Sequence, residues 1–170
     1  FYDQEGSRLF DAICDLDAYY PTRTETGILE AHMADITETL GHSVILVEYG
    51  SGSSIKTRLL LEAIPDVRAY VPIDISRDHL IAAAEGIKAG FPTIEVLPVC
   101  ADYTQEITLG LQPTPGTTVG VFFPGSTIGN FEPQAAVAFL QRIRRIVGPG
   151  GGLLIGADLV KDSAVFERAY

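Results

Sequence analysis

The sequence predicts an α/β fold, with helices on both faces of a mostly parallel, open sheet. Short apolar runs rich in β-branched residues alternate along the chain with segments of helical periodicity. The stretch 44–54 organises this pattern, because an apolar run passes through an acid into a Gly-Ser-Gly turn, and a helix-compatible segment follows. A short apolar run bounded by glycines is typical of a strand that is buried on both faces of a parallel sheet. Alternating strands and helices then imply right-handed crossovers.

Composition excludes several classes of partner. The 170 residues suffice for one domain with a core, and 46% hydrophobic and 20% charged residues are ordinary for a soluble globular protein. Twelve basic residues against 22 acidic ones give a net charge of -10, which argues against a nucleic-acid partner. The sequence shows neither a membrane-length apolar stretch nor a secretion signal, so we expect no membrane partner. Cys14 and Cys100 have apolar neighbours, which predicts small buried thiols in a reducing cytoplasm rather than a disulfide.

The N-terminal segment, residues 1–42, is predicted to form a helical lid or substrate wall. Apolar residues recur at helical spacing over residues 7–18, and a second helix is expected over residues 25–40. Between them, Pro21 favours extended geometry at Tyr20, because the residue before a proline avoids helical angles. Both helices precede the first strand, so they can fold over the carboxyl edge of the sheet.

Residues 43–170 are predicted to form the core around that sheet. The expected strands are residues 44–48, 68–74, 93–99, 117–123 and 153–158. The expected helices between them are residues 55–64, 76–89 and a segment that begins at Pro133. Because the chain begins at Phe1 rather than Met and stops at Tyr170 inside a predicted helix, we expect it to be a fragment of a longer protein.

Acidic residues finish several of the predicted strands at one edge of the sheet: Glu48, Asp74, Asp102 and Asp158. Asp74 lies roughly two dozen residues beyond the Gly loop, where a dinucleotide-binding fold keeps the acid that accepts both ribose hydroxyls. Each acid alone is also compatible with a helix cap or an exposed loop. Several acids around one Gly loop together favour a nucleoside-containing cofactor.

Two classes of cofactor fit such an edge. A nicotinamide site prefers G-x-G-x-x-G, whose third glycine allows close helix packing near a pyrophosphate. Here Ile55 occupies the position of that third glycine, and the loop Gly50-Ser51-Gly52 continues into further serines. S-adenosylmethionine carries no phosphate and needs no anion cradle, so E-x-G-x-G followed by acids after the next strands suits it better.

The residues around the loop supply partners for each part of S-adenosylmethionine. Asp74 suits the ribose, Asp102 suits the adenine amino group, and Tyr103 can lie along the adenine ring. The methionine end is zwitterionic, so Lys56 is a candidate partner for its carboxylate, although a solvated helix lysine explains the position equally well.

Five motifs resemble the histidine-specific, S-adenosylmethionine-dependent methyltransferase family, which includes enzymes of ergothioneine biosynthesis. The motifs are F-Y-D with G-S-x-L-F-D (1–11), Y-Y-P-T-R (19–23), E-Y-G-S-G-S (48–53), G-S-T-I-G-N (125–130) and D-L-V-K-D (158–162). The resemblance covers essentially the whole chain. It implies a Rossmann-like class I methyltransferase fold, here without its last strands. It also implies transfer of methyl groups to the α-amino group of an amino acid, with L-histidine converted to its trimethyl product.

The resemblance also assigns residues to the two ligands. The family's cofactor residues fall on Gly50, Lys56, Asp74, Asp102 and Tyr103. Its amino-acid-binding residues fall on Tyr19, Asn130 and Tyr170, and Tyr2 matches a further active-site tyrosine. S-adenosylhomocysteine would be the second product. The family's residues that contact the imidazole ring belong to a substrate domain beyond Tyr170, so other amino acids stay open as substrates.

Other functions remain compatible with the sequence. A nicotinamide-dependent oxidoreductase could use a similar sheet, and a noncatalytic regulatory domain could keep the fold. The three histidines, His32, His42 and His79, have no Cys or His partners at ligand spacing, so we predict no metal site. We identify no general base, which leaves solvent to take the proton. The strand 153–158 would have an unpaired edge, which predicts self-association of the fragment.

Overall fold

The computed structural model of the chain describes residues 6, 9, 12–14, 16, 18–51, 54–164 and 167. Three of the predicted site residues, Tyr2, Gly52 and Tyr170, lie outside the described residues. The described residues form a six-stranded parallel sheet between helices, which confirms the predicted α/β fold. None of the described helices combines the length and apolar character that a membrane span requires.

The sheet contains β1 (Ser43–Tyr49), β2 (Asp66–Asp74), β3 (Glu95–Val96), β4 (Val99–Cys100), β5 (Thr118–Phe123) and β6 (Gly152–Ile155). Their order is β3-β2-β1-β5-β6, and β4 also pairs with β2. β1 is central, since Val47 lies opposite Val71 on one side and Val121 on the other. Successive strands add outward from β1 in one direction and then in the other, so the connections diverge between β1 and β5. Ligands of open parallel sheets bind at such a point of divergence.

The helices are α1 (Tyr20–Ala31), α2 (Met33–Leu40), α3 (Ile55–Ala63), α4 (Arg77–Gly90) and α5 (Pro133–Val147), with a 3₁₀ turn at Thr127–Asn130. They cover both faces because neighbouring strand residues point in opposite directions. Leu46 packs in one apolar cluster with Leu60 of α3 and Ile87 of α4. Val47 belongs to the other cluster, together with Phe139 of α5.

The predicted N-terminal helix boundaries were wrong in two respects. The segment 25–40 is divided at His32, whose φ of -117° and ψ of 16° interrupt the helix. α1 also begins at Tyr20 rather than Glu25, with Pro21 in its first turn. A proline is well accommodated there, because the first helical N–H groups have no partner inside the helix. The expected extended geometry at Tyr20 is therefore not observed.

The predicted third and fifth strands also differ from the structure. Pro98 interrupts the third strand, so that two short strands, β3 and β4, replace it. The N–H groups of Leu97 and Ala101 donate to carbonyl groups of β2, whereas Pro98 between them has no N–H to donate. The last strand ends at Ile155, three residues before Asp158. The prediction of buried thiols is wrong, because Cys100 is exposed and Cys14 is only half-buried. Both cysteines are free, as expected.

The edge position of β6 predicts self-association of the 170-residue chain. Within the described residues, β6 has a neighbouring strand, β5, on one side only. Its outer N–H and C=O groups can therefore pair with a strand of another copy. We expect light scattering over a concentration series to show a mean mass that rises above 18.3 kDa. A constant monomer mass over the whole series would contradict this prediction.

Candidate cofactor and substrate site

The carboxyl ends of the parallel strands bring the predicted site residues to one edge of the sheet. Gly50 follows β1, Asp74 ends β2, and Gly125 follows β5 at the central divergence. The N–H of Gly50 donates to Ile73 O at 2.9 Å, which fixes the start of the Gly loop against the end of β2. This edge is where a ligand of such a sheet is expected.

The Gly loop has the features of a ligand-binding turn. Gly50 has a φ of +77°, a backbone conformation that residues other than glycine rarely adopt. Ser51 is 1% exposed, and its hydroxyl has no hydrogen-bond partner in the part of the chain that the structure describes. Because buried hydroxyls are nearly always paired, this group fits a polar ligand that the structure does not contain.

The two acids predicted for the nucleoside are Asp74, which ends β2, and Asp102, which follows the paired strand β4. Asp74 lies opposite Cys100 in the β2–β4 register, and Ala101 N donates to Asp74 O at 3.0 Å. One oxygen of the Asp74 carboxylate accepts a bond from Ser76 N at 2.9 Å. Asp102 is exposed, and its Oδ1 accepts bonds from the hydroxyl of Thr104 at 2.7 Å and from its N–H at 2.9 Å. These bonds lower the pKa of Asp102, so it is ionised at neutral pH.

Tyr103 is half-buried in an aromatic cluster beside these acids. Its ring centroid is 5.8 Å from that of Tyr49 and 5.9 Å from that of Phe123, in edge-on arrangements. A cavity of about 360 Å³ opens next to it, and Phe139 and Arg142 of α5 contribute to its wall. The ring is thus held by its neighbours on one side and borders open space.

Lys56 lies in the first turn of α3 and already has a partner. Its Nζ donates to Glu25 Oε2 at 2.5 Å, and the two side chains are only 14% and 17% exposed. Both oxygens of Glu25 also lie 2.9 Å from the N–H of Gly125. Glu25 therefore joins α1, α3 and the loop after β5. Glu25 was not predicted from the sequence, although Leu29, one turn later on the same face of the helix, is buried and indicates that this face points inward.

The residues predicted for the amino-acid substrate lie farther along the same edge. Tyr19 directly precedes α1 and is 4% exposed, whereas Asn130 ends the 3₁₀ turn and is exposed. Between α1 and the ends of β5 and β6 is a cleft of about 240 Å³. Its wall includes Tyr20, Glu25, Ser126 and Asp158.

A polar cluster borders this cleft, and it was not predicted from the sequence either. The Tyr20 hydroxyl donates to the Asp158 carboxylate, and Lys161 Nζ donates to the same carboxylate and to the Tyr20 oxygen at 3.2 Å. The hydrogen bond from Lys161 and, to a smaller extent, that from Tyr20 lower the pKa of Asp158. Asp158 N in turn donates to Ser126 Oγ at 2.9 Å. The cluster thereby connects α1 with the loops that follow β5 and β6.

Glu48 differs from the other strand-end acids because its side chain is in the interior. It is 2% exposed, and it accepts bonds from Tyr70 and, at 2.8 Å for each oxygen, from Thr57. Burial raises its pKa from 4.5 to about 7, although the bonds from Tyr70 and Thr57 act in the opposite direction. Glu48 thus holds α3 against β1 and β2, directly beneath the Gly loop.

Comparison with known proteins identifies relatives of the whole chain. The model of a family described as "Histidine-specific methyltransferase, SAM-dependent" matches residues 1–170. The chain is similar to histidine N-alpha-methyltransferases of Mycolicibacterium smegmatis (44% identity) and Mycobacterium tuberculosis (42% identity), and each alignment covers 100% of this chain and 53% of the relative. The chain therefore spans about half the length of the curated relatives it matches.

A solved structure gives the same fold. A Methanococcus maripaludis protein described as an S-adenosyl-L-methionine-dependent methyltransferase superposes with a TM-score of 0.61 at 17% identity. The match covers 99% of this chain and 70% of that protein. The class I methyltransferase fold is thereby confirmed.

The buried carboxyl of Glu48 predicts a pH-dependent stability. Since its pKa is raised on folding, the folded state binds more protons than the unfolded state between pH 4.5 and about 7, and the free energy of unfolding falls as pH rises through this window. The full shift corresponds to a loss on the order of 3 kcal/mol. In Glu48→Gln this contribution should be absent when urea denaturation is compared at pH 5 and pH 8.

Glu62→Gln, a change at an exposed acid of α3, is the matched control and should keep the wild-type pH dependence. Parallel pH dependences for wild type and Glu48→Gln would contradict the assignment.

Proposed function

We propose, from the premise that this chain belongs to the histidine-specific, S-adenosylmethionine-dependent methyltransferase family, that it forms the cofactor-binding half of an amino-acid N-methyltransferase. The methyl acceptor is the α-amino group of an amino acid. The specific proposal is that L-histidine is converted to its Nα-trimethyl product, as in ergothioneine-type biosynthesis. The observation that carries the proposal is that the Gly loop and Lys56 after β1, Asp74 at the end of β2 and Asp102 after β4 all lie along the carboxyl edge of a class I methyltransferase sheet.

Each part of S-adenosylmethionine has a proposed partner. The loop Gly50-Ser51-Gly52 and Lys56 would hold the methionine end. The buried Ser51 hydroxyl, which has no partner among the described residues, supports a polar ligand there. Asp74 would accept bonds from the ribose, Asp102 would accept one from the adenine amino group, and Tyr103 would contact the adenine ring. When bound, the cofactor supplies a methyl group on a sulfonium, and S-adenosylhomocysteine is the product.

The residues of the chain would mainly align the amine and favour its neutral, deprotonated form. The α-amino group of a free amino acid is largely protonated near neutral pH. Removing the ammonium form from water lowers its pKa. Asn130 carries both a donor and an acceptor, so it can hold the amine or the carboxylate of the substrate without adding charge. Tyr19, Tyr170 and Tyr2 are the further proposed substrate residues, since their hydroxyls can donate to the carboxylate and their rings tolerate the growing cation. Alignment of nucleophile, methyl and sulfur supplies most of the acceleration, and solvent takes the proton.

Residues 1–42 would serve as the lid or wall of the substrate site, and residues 43–170 as the cofactor core. The bonds that Lys56 and Gly125 donate to Glu25 support this division, because they place α1 against the edge of the sheet. We place the protein in the cytoplasm, which the two free cysteines support. The net charge of -10 supports a small-molecule partner rather than a nucleic acid.

Binding and turnover test different parts of the proposal. Calorimetry should show that the chain binds S-adenosylhomocysteine and does not bind NAD, and the reverse result would contradict a methyltransferase. Mass spectrometry of L-histidine incubated with S-adenosylmethionine and the full-length protein that carries this chain should show added methyl groups. Cofactor binding without methylation of any amino acid would favour a noncatalytic domain.

Asp74→Ala should weaken binding of S-adenosylhomocysteine by roughly 1.5–3 kcal/mol, because it removes a charge-assisted bond to the ribose. Asn130→Ala should leave this affinity nearly unchanged, since we assign Asn130 to the substrate, and should reduce turnover. Calorimetry measures the affinities, and Asp78→Ala is the control, because Asp78 is an exposed acid in the first turn of α4. Loss of cofactor binding in Asn130→Ala would show that the division into cofactor and substrate residues is wrong.

A further inference from the structure

Glu25 and Lys56 place opposite charges side by side at the centre of the ligand-binding edge. Lys56 approaches from α3, beside the Gly loop that follows β1. Glu25 approaches from α1 and is held by the N–H of Gly125, which follows β5. The ion pair, 2.5 Å between Nζ and Oε2, therefore bridges the two sides of the crevice between β1 and β5.

Fold stability alone does not account for this pair. Taking two charges largely out of water costs about as much free energy as their attraction returns, so apolar side chains could stabilise the same contact equally well. Apolar packing already fixes α1, since Leu29 is buried in a cluster with Leu46 and Leu60. The charges are thus better explained by a ligand that requires both of them.

We propose that Glu25 and Lys56 together form a receptor for an amino-acid zwitterion, namely the methionine end of the cofactor. Lys56 binds the α-carboxylate, and Glu25 accepts hydrogen bonds from the α-ammonium. An amino acid carries these two charges on one carbon atom, and the ion pair presents the complementary charges at similarly close spacing. In the free chain the two side chains neutralise each other, and on binding each exchanges its partner for one of the ligand. This inference rests on the proposed cofactor binding.

One observation and one chemical argument support the assignment of Glu25 to the cofactor. The N–H of Gly125 can keep the carboxylate in place while Lys56 turns towards a ligand, because the bond to Gly125 does not depend on Lys56. The amine of the methyl acceptor must instead lose its proton before it attacks, and a carboxylate beside it would favour the protonated form. The α-amino group of the cofactor takes no part in the transfer, so it can stay protonated and be held by a carboxylate.

Gly156 provides the space that Glu25 occupies. A Cβ at this position would collide with Glu25 Oε1 and would lie 3.1 Å from Gly125 N. Gly156→Ala should therefore displace the carboxylate without removing its charge, and this variant gives an independent test of the geometry.

The test is calorimetry with three ligands on the 170-residue chain. The ligands are S-adenosylhomocysteine, its analogue without the α-amino group and its analogue without the α-carboxylate. Glu25→Gln should bind S-adenosylhomocysteine about tenfold more weakly than wild type, through loss of a charge-assisted bond, and should bind the desamino analogue as wild type does. Lys56→Met should show the converse selectivity, with unchanged affinity for the analogue that lacks the carboxylate. Gly156→Ala should follow Glu25→Gln.

Glu30→Gln is the control, because it removes the same charge from an exposed position of α1. Unchanged binding of S-adenosylhomocysteine by Glu25→Gln would overturn the receptor. Tighter binding would overturn it as well and would show that Glu25 competes with the ligand carboxylate for Lys56. Equal losses for all three ligands would contradict a charge-specific role. Failure of the wild-type chain to bind S-adenosylhomocysteine would instead reject the proposed function, so the two failures are distinguishable.

Discussion

The parallel pairing of β1 with both β2 and β5 is the constraint on which the rest of the structure depends. Since β1 is buried between two strands that run in its own direction, the loops after all three emerge at the same edge. The connections then leave this edge towards opposite sides of the sheet, which opens a crevice between Gly50 and Gly125. Polar groups far apart in the chain meet there without any strand having to bend towards them.

A buried carboxyl also lies in the interior beneath this crevice. Tyr70 of β2 and Thr57 of α3 both donate to Glu48, so one carboxyl connects two strands and the helix that follows the Gly loop. A buried carboxyl is costly unless its oxygens are paired, and here the pairing ties the first turn of α3 to β1. The position of Lys56, in the first turn of that helix, follows from this arrangement.

Local patterns in the sequence predicted most of the fold, because apolar runs and glycine turns act over a few residues. β1, β5 and α5 were expected close to their observed positions, and so were the strand-end residues Gly50, Asp74 and Asp102. The errors came from Pro98 and His32, where one residue interrupts a pattern that otherwise continues. Glu25, and the contacts of Tyr20 with Asp158, were not identified, because pairing across a folded chain leaves no regular spacing in the sequence.

The bonds of Glu25 also have a consequence for the order in which the molecule assembles. Its partners lie 31 and 100 residues later in the chain, at Lys56 and Gly125. During synthesis, α1 leaves the ribosome well before the strand that precedes Gly125, and distant contacts form slowly because a long loop must first close. Leu29 of α1 can pack on Leu46 and Leu60 as soon as these have been made, but Glu25 reaches Gly125 only after β5 has joined β1. The crevice is completed last, so a nascent chain has no finished ligand site until most of its length has been made.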